Sequence, residues 1–182
     1  GCLYQDGQGV EQSDKKAAEL YAMAAEQGEV ESMFNLGNGY RDGKGVAQSY
    51  TKAVELYTMA AEQGGVRAMT NLGALYRDGN GVVQSFTKAI ELFTMAADQG
   101  IVEAITFLGV MYIYGQGVHQ SNELAREWWT KAANEGFEDA ITNLKRLDKL
   151  EGKSTTTTTS TTTASPPPVC CSSCNKPQPS GQ

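Results

Sequence analysis

The chain is 182 residues long, 40% hydrophobic and acidic, with 21 Asp and Glu against 15 Lys and Arg and a formal net charge of −6. Its length fits one domain with a tail. The carboxylate excess argues against nucleic acid, whose phosphates reward clustered Lys and Arg, and no apolar run approaches the roughly 18 residues of a membrane span.

Near the start of the chain is a Gly-x-Gly-Val turn, Gly7-Gln8-Gly9-Val10. It returns at Gly43-Gly45-Val46, Gly79-Gly81-Val82 and Gly115-Gly117-Val118. A further glycine keeps the same 36-residue step at Gly28, Gly64, Gly100 and Gly136, and 24 of 36 positions are identical between 29–64 and 65–100. A fixed period of this length signals a solenoid, whose units bury their apolar faces only by stacking on one another. The array spans 1–152: a partial unit 1–28, full units 29–64, 65–100 and 101–136, and a capping helix 137–151. Gly1-Cys2-Leu3-Tyr4 shares the register of Gly37-Asn38-Gly39-Tyr40. The chain is therefore expected to begin inside a helix, with Leu20 and Tyr21 left open and further repeats or another domain upstream.

Within the unit 29–64, Met33, Leu36, Gly37 and Tyr40 form one stripe of a first helix, helix A, running to Asp42. Gly37 recurs as Gly73 and Gly109; a helix-interior glycine costs about 1 kcal/mol relative to Ala, so close approach of a neighbouring helix is expected. Helix B runs from Ser49 to Gln63 on the stripe Ala53, Leu56, Tyr57, Ala60, Ala61. Ser13, Ser49, Ser85 and Ser121 stand where an N-cap is needed. Gly28, Gly64, Gly100 and Gly136 stand where a left-handed helix end is needed. The Gly-x-Gly loops do not read as phosphate cradles, because a helix and not a strand precedes them. Met23, Met59 and Met95, with Lys131 completing the row, are read as inter-helix packing. Trp128-Trp129 replaces Leu-Tyr and Leu-Phe pairs of earlier units and is read as core.

These motifs in order (Leu-Gly-x-x-Tyr, Gly-x-Gly-Val, Lys-Ala-x-x-Leu-Tyr, Ala-Ala-x-x-Gly) resemble the Sel1-like repeat, a relative of the tetratricopeptide repeat. Serine stands where that family usually has a loop aspartate. The resemblance covers about residues 1–150. It implies an all-α, right-handed α-α superhelix and a non-enzymatic scaffold or adaptor that binds other proteins. It also implies that the A helices line the concave face. Partner-choosing positions are then those that vary between units on helix A, on the side opposite the stripe: Glu31/Arg67/Glu103, Asn35/Asn71/Phe107 and Asn38/Ala74/Val110. Replacing Asn71 and Arg67 with alanine is expected to weaken partner capture with little change in melting temperature.

The last A-type helix, Glu138–Leu150, carries Lys145 in the glycine register and Asp148 in the tyrosine register, as a charged C-terminal cap would. Residues 153–169 are rich in Thr and Pro and are expected to be a disordered linker. The tail 170–182 carries Cys170, Cys171 and Cys174. Cys171 and Cys174 have the spacing of two zinc ligands, though a closed site needs four, and the segment resembles the opening of a MYND-type zinc finger. A zinc-finger regulatory protein, with the repeats as spacer or partner-binding arm, is thus the second reading. No cofactor is expected in the array, and zinc enters only if the module continues beyond Gln182. His119, the only histidine, is read as a solvated loop residue, and no catalytic constellation is legible. The cysteines do not recur with the repeat, which favours a reducing compartment, cytoplasmic or nuclear. The expected partners are proteins, with no nucleic acid, membrane segment or small-molecule substrate.

Overall fold

A computed structural model describes residues 1–152 apart from Gln8 and Val10. Within them the chain forms helices α1 (Cys2–Asp6), α2 (Asp14–Ala25), α3 (Val30–Asp42), α4 (Tyr50–Glu62), α5 (Val66–Asp78), α6 (Phe86–Asp98), α7 (Val102–Tyr114), α8 (Asn122–Asn134) and α9 (Glu138–Leu150). Odd-numbered helices are the A helices and even-numbered ones the B helices. Each packs against the helix before and after it in sequence, building a right-handed α-α superhelix.

Local chemistry sets the helix ends. The hydroxyls of Ser13, Ser49, Ser85 and Ser121 each accept a bond from the backbone N–H three residues on, at 3.2–3.4 Å. The glutamine before each of the first three serines closes the turn from the other side. Gln12, Gln48 and Gln84 donate to the carbonyls of Gln5, Arg41 and Arg77 at 2.7–2.8 Å. Both bonds engage backbone groups that a helix terminus leaves unpaired.

The core runs the length of the stack. One apolar cluster extends from Ala17 to Leu75 and another from Met69 to Leu147, with Ala61, Tyr76 and Leu92 packed against both. On α4 the buried residues are Ala53, Tyr57 and Ala60; on α3 they include Met33, Leu36 and Gly37, as their spacing predicts, and also Phe34. The glycine on each A helix faces the large aromatic of its B helix. A Cβ at Gly37, Gly73 or Gly109 would lie 2.6, 2.8 or 2.4 Å from the ring of Tyr57, Phe93 or Trp129. Trp128 and Trp129 are both buried, and Trp129 Nε1 donates to the Thr106 carbonyl at 3.1 Å.

Two expectations are corrected. Met23, Met59 and Met95 do not pack between helices; they are 60%, 47% and 50% exposed. At about 100° per residue, Met59 lies on the side of α4 away from Ala53, Tyr57 and Ala60. Tyr21 is not left open: its ring covers Gly1, its hydroxyl donates to Gln5 Oε1 at 2.7 Å, and burial raises its pKa above the ordinary phenol value. Leu20 does sit at the surface. At α9, Lys145 is exposed and Asp148 pairs with Arg126 at 2.6 Å, with Glu151 on the same guanidinium at 2.8 Å.

Candidate functional site

Two clefts, one 36-residue step apart, open where an A helix meets the preceding A and B helices. One, of about 160 Å³, is lined by Asn35, Asn38 and Asp42 of α3 with Gln5, Asp14 and Tyr21. The next, of about 400 Å³, is lined by the corresponding Asn71, Ala74 and Asp78 of α5 with Arg41, Gln48 and Tyr50. The loop glycines bring the units this close. A Cβ on Gly45 would fall on the Asp14 carbonyl oxygen, and one on Gly81 would lie 2.5 Å from the Tyr50 carbonyl carbon. The loops of Gly45, Gly81 and Gly117 therefore seat on the start of the preceding B helix.

The charged groups of the clefts are mostly paired. Arg41 grips Asp42 with two bonds, at 2.7 and 3.0 Å, and Arg77 grips Asp78 in the same way. The bond from Arg41 holds the Asp42 carboxyl below the ordinary range. The Arg77 guanidinium also lies 4.8 Å from the ring centre of Phe107 on the next A helix.

The positions expected to choose a partner divide into two sets. Glu31, Arg67 and Glu103 are exposed. Arg67 reaches back to Glu31 at 2.8 Å and lies over the Phe34 ring at 4.3 Å. With both side chains more than half exposed, that ion pair contributes little to stability. Asn35, Asn71, Phe107, Asn38, Ala74 and Val110 are half-buried, and several of them join units. Tyr57 Oη donates to Asn38 Oδ1 at 2.7 Å, and Asn71 Nδ2 lies 3.0 Å from Asn38 Oδ1 and 3.2 Å from Tyr57 Oη. Burial raises the pKa of Tyr57, keeping it a neutral donor. One repeat later the same three positions are Ala74, Phe93 and Phe107, and Phe93 stacks on Phe107 with ring centres 5.0 Å apart. A polar triangle has become an apolar one. Tyr57 was not singled out from sequence as a junction residue. The signal was present: positions 38, 57 and 71 change together to 74, 93 and 107.

The coupling has a measurable consequence. Asn71→Ala removes the two bonds its Nδ2 donates, to Asn38 Oδ1 and Tyr57 Oη, and is expected to cost about 1–3 kcal/mol, contrary to the neutral effect expected from sequence. The triple variant Asn38→Ala, Tyr57→Phe, Asn71→Phe transplants the apolar triangle. It is expected to lie well above the sum of its single changes, because contacting residues are not additive. Urea denaturation of the singles and the triple checks this; simple additivity would refute the coupling.

Cys171 and Cys174 lie outside the described residues. Among the described residues there is no group of three or more His, Cys, Asp or Glu that could hold a metal ion, and no helix long and apolar enough to cross a membrane.

Comparison with known proteins finds the Sel1 repeat over residues 1–29, 30–65, 66–101 and 102–137. Among solved structures, a Sel1 repeat protein from Oxalobacter formigenes superposes with a TM-score of 0.77 at 32% identity, over 81% of this chain and 59% of that one. The protective antigen c5321 of uropathogenic Escherichia coli, which displays an SLR fold, gives 0.77 at 34% identity over 82% and 32%. The immunity protein Pa5087 of Pseudomonas aeruginosa gives 0.57 at 27% identity over 82% and 58%. The chain thus spans less than two thirds of the length of each. No curated protein sequence matches it.

Proposed function

Because the chain belongs to the Sel1 repeat family, we propose that it is a scaffold that holds a partner protein across its A helices. Sel1 repeats generally serve as protein-interaction scaffolds and are typically non-enzymatic. The observation that supports the proposal is the pair of clefts one repeat apart, whose linings keep Asn35/Asn71 and Asp42/Asp78 and change at Gln5/Arg41, Asp14/Tyr50 and Asn38/Ala74. A repeated frame with varied lining accepts an elongated partner segment and reads a different residue of it in each unit.

The structural role of Asn38 and Asn71 moves the test to the exposed members of the set. Arg67→Glu with Glu103→Lys leaves the junction triangle intact and exchanges the signs of two exposed positions on that face. Partner capture is expected to fall at least about tenfold with an unchanged melting temperature. A photo-crosslinker at Asn35 or Glu103 should join the partner far more than one at Thr51 or Thr87 on the B helices. Equal crosslinking from both faces would refute the assignment.

A further inference from the structure

The exposed methionines have no role in the fold or in the A-helix face. Met23, Met59 and Met95 occupy one register on α2, α4 and α6, each about half exposed. Each is preceded four residues earlier by an exposed carboxylate, Glu19, Glu55 or Glu91. Each is followed three residues later by another, Glu26, Glu62 or Asp98. Residues three and four apart share a helix face, so every B helix of this set shows a methionine between two acids. Among the described residues, none of the ion pairs uses these six carboxylates.

Some exposed positions drift between units, while others, such as Lys16, Lys52 and Lys88 or Gln27, Gln63 and Gln99, are kept. Lys15 becomes Thr51 and Thr87, and Ala47 becomes Val83 and His119. The methionine and its two acids persist through the same three units, with Glu62 changing only to Asp98. The pattern stops at α8, where Lys131 takes the methionine register and Asn134 the second acid register. The Lys131 ammonium lies 4.6 Å from the Trp128 ring centre. The surface over α2, α4 and α6 is therefore apolar, with six acids against the three lysines of the same stripe, Lys16, Lys52 and Lys88. The ammonium groups of these lysines lie over the rings of Tyr4, Tyr40 and Tyr76, and the surface has a cationic end at α8.

We propose that this methionine row, framed by unpaired carboxylates on the B helices, is a docking surface for a basic amphipathic helix. Methionine is unbranched and polarizable, adapts to varied apolar partners, and is over-used at promiscuous binding surfaces. An amphipathic helix lays its apolar face on such a surface, and the flanking acids select lysine and arginine on its polar edges. The surface is separate from the A-helix clefts, so a second segment can be held at the same time.

The chain's methionines supply their own control. Met33, Met69 and Met111 are buried at 1%, 3% and 0% exposure. With methyl-labelled methionine, titration with a synthetic lysine–leucine amphipathic peptide about 18 residues long is expected to shift the Met23, Met59 and Met95 signals saturably. The three buried signals should stay in place. Added salt should weaken binding, and a glutamine-for-lysine peptide should bind at least about tenfold more weakly. The triple variant Met23→Ser, Met59→Ser, Met95→Ser should lose about tenfold in affinity with its melting temperature retained. Unmoved exposed methyls under saturating peptide would overturn the proposal. So would equal affinity for the neutral peptide, or methyl shifts that follow protein concentration without peptide and so report a second copy.

Discussion

Trp129→Ala is expected to lower the stability of the chain by about 3–5 kcal/mol, the range for truncating a buried large aromatic. Trp129 is 5% exposed and fills the space opposite Gly109, while its indole N–H holds the Thr106 carbonyl at 3.1 Å. Both interactions tie α8 to α7. Trp129→Phe keeps most of the apolar surface and the ring at the position filled by Phe93 one unit earlier. It removes the hydrogen bond and a small part of the ring volume, and should cost about 1–3 kcal/mol. Because each unit contacts only its neighbours, hydrogen exchange should rise in α7, α8 and α9 first and leave α3 and α4 protected. A loss under about 1 kcal/mol for the alanine variant would mean that the aromatic does not organise this end of the array.

Gly81→Ala is expected to cost about 2–5 kcal/mol, and Gly64→Ala only about 1–2 kcal/mol. The two residues have similar backbone angles, φ 73° and 84°, so the strain of placing an L side chain in the left-handed region is shared. They differ in space. A Cβ at Gly64 meets nothing within 4 Å, whereas one at Gly81 meets the Tyr50 backbone at 2.5 Å. Backbone at the start of α4 cannot step aside as a flexible side chain can, so the next unit must lift away from the one before it. The difference between the two variants, read from urea denaturation midpoints, isolates the cost of opening one inter-unit seam. Equal destabilisation would show that the Gly-x-Gly loop serves only its own turn.

These two effects mark how far the fold was legible. The 36-residue period, the two helical stripes and the serine and glycine punctuation locate the helices and their ends. These depend on residue spacing and local hydrogen bonding. The repeating glycine at 37, 73 and 109 announces a close approach, and the packing of helix B on helix A decides which ring lies across from it. The methionine row is exposed despite its regular spacing, because a regular apolar register is common to packed and exposed faces. Which side of helix B turns inward depends on where Tyr57 and the alanines meet the next helix.

The candidate surface was legible in outline and not in detail. Variation between units picks out Asn35, Asn38, Asn71, Ala74 and Phe107, which lie on the A helices as expected. Variation alone does not separate a residue that faces a partner from one that matches a neighbouring repeat. Asn71 does the second, through Asn38 and Tyr57, and its replacement by Phe107 one unit on follows the change of Tyr57 to Phe93.

The sequence by itself determined the family, the all-α class, the helix boundaries and the repeat step, because helix periodicity, caps and turns act within a few residues. Tertiary structure alone decided which varying positions are seams, which apolar row is bare, and where clefts open. Those properties arise between residues some 20 to 36 positions apart, where stacking of one unit on the next brings side chains into contact.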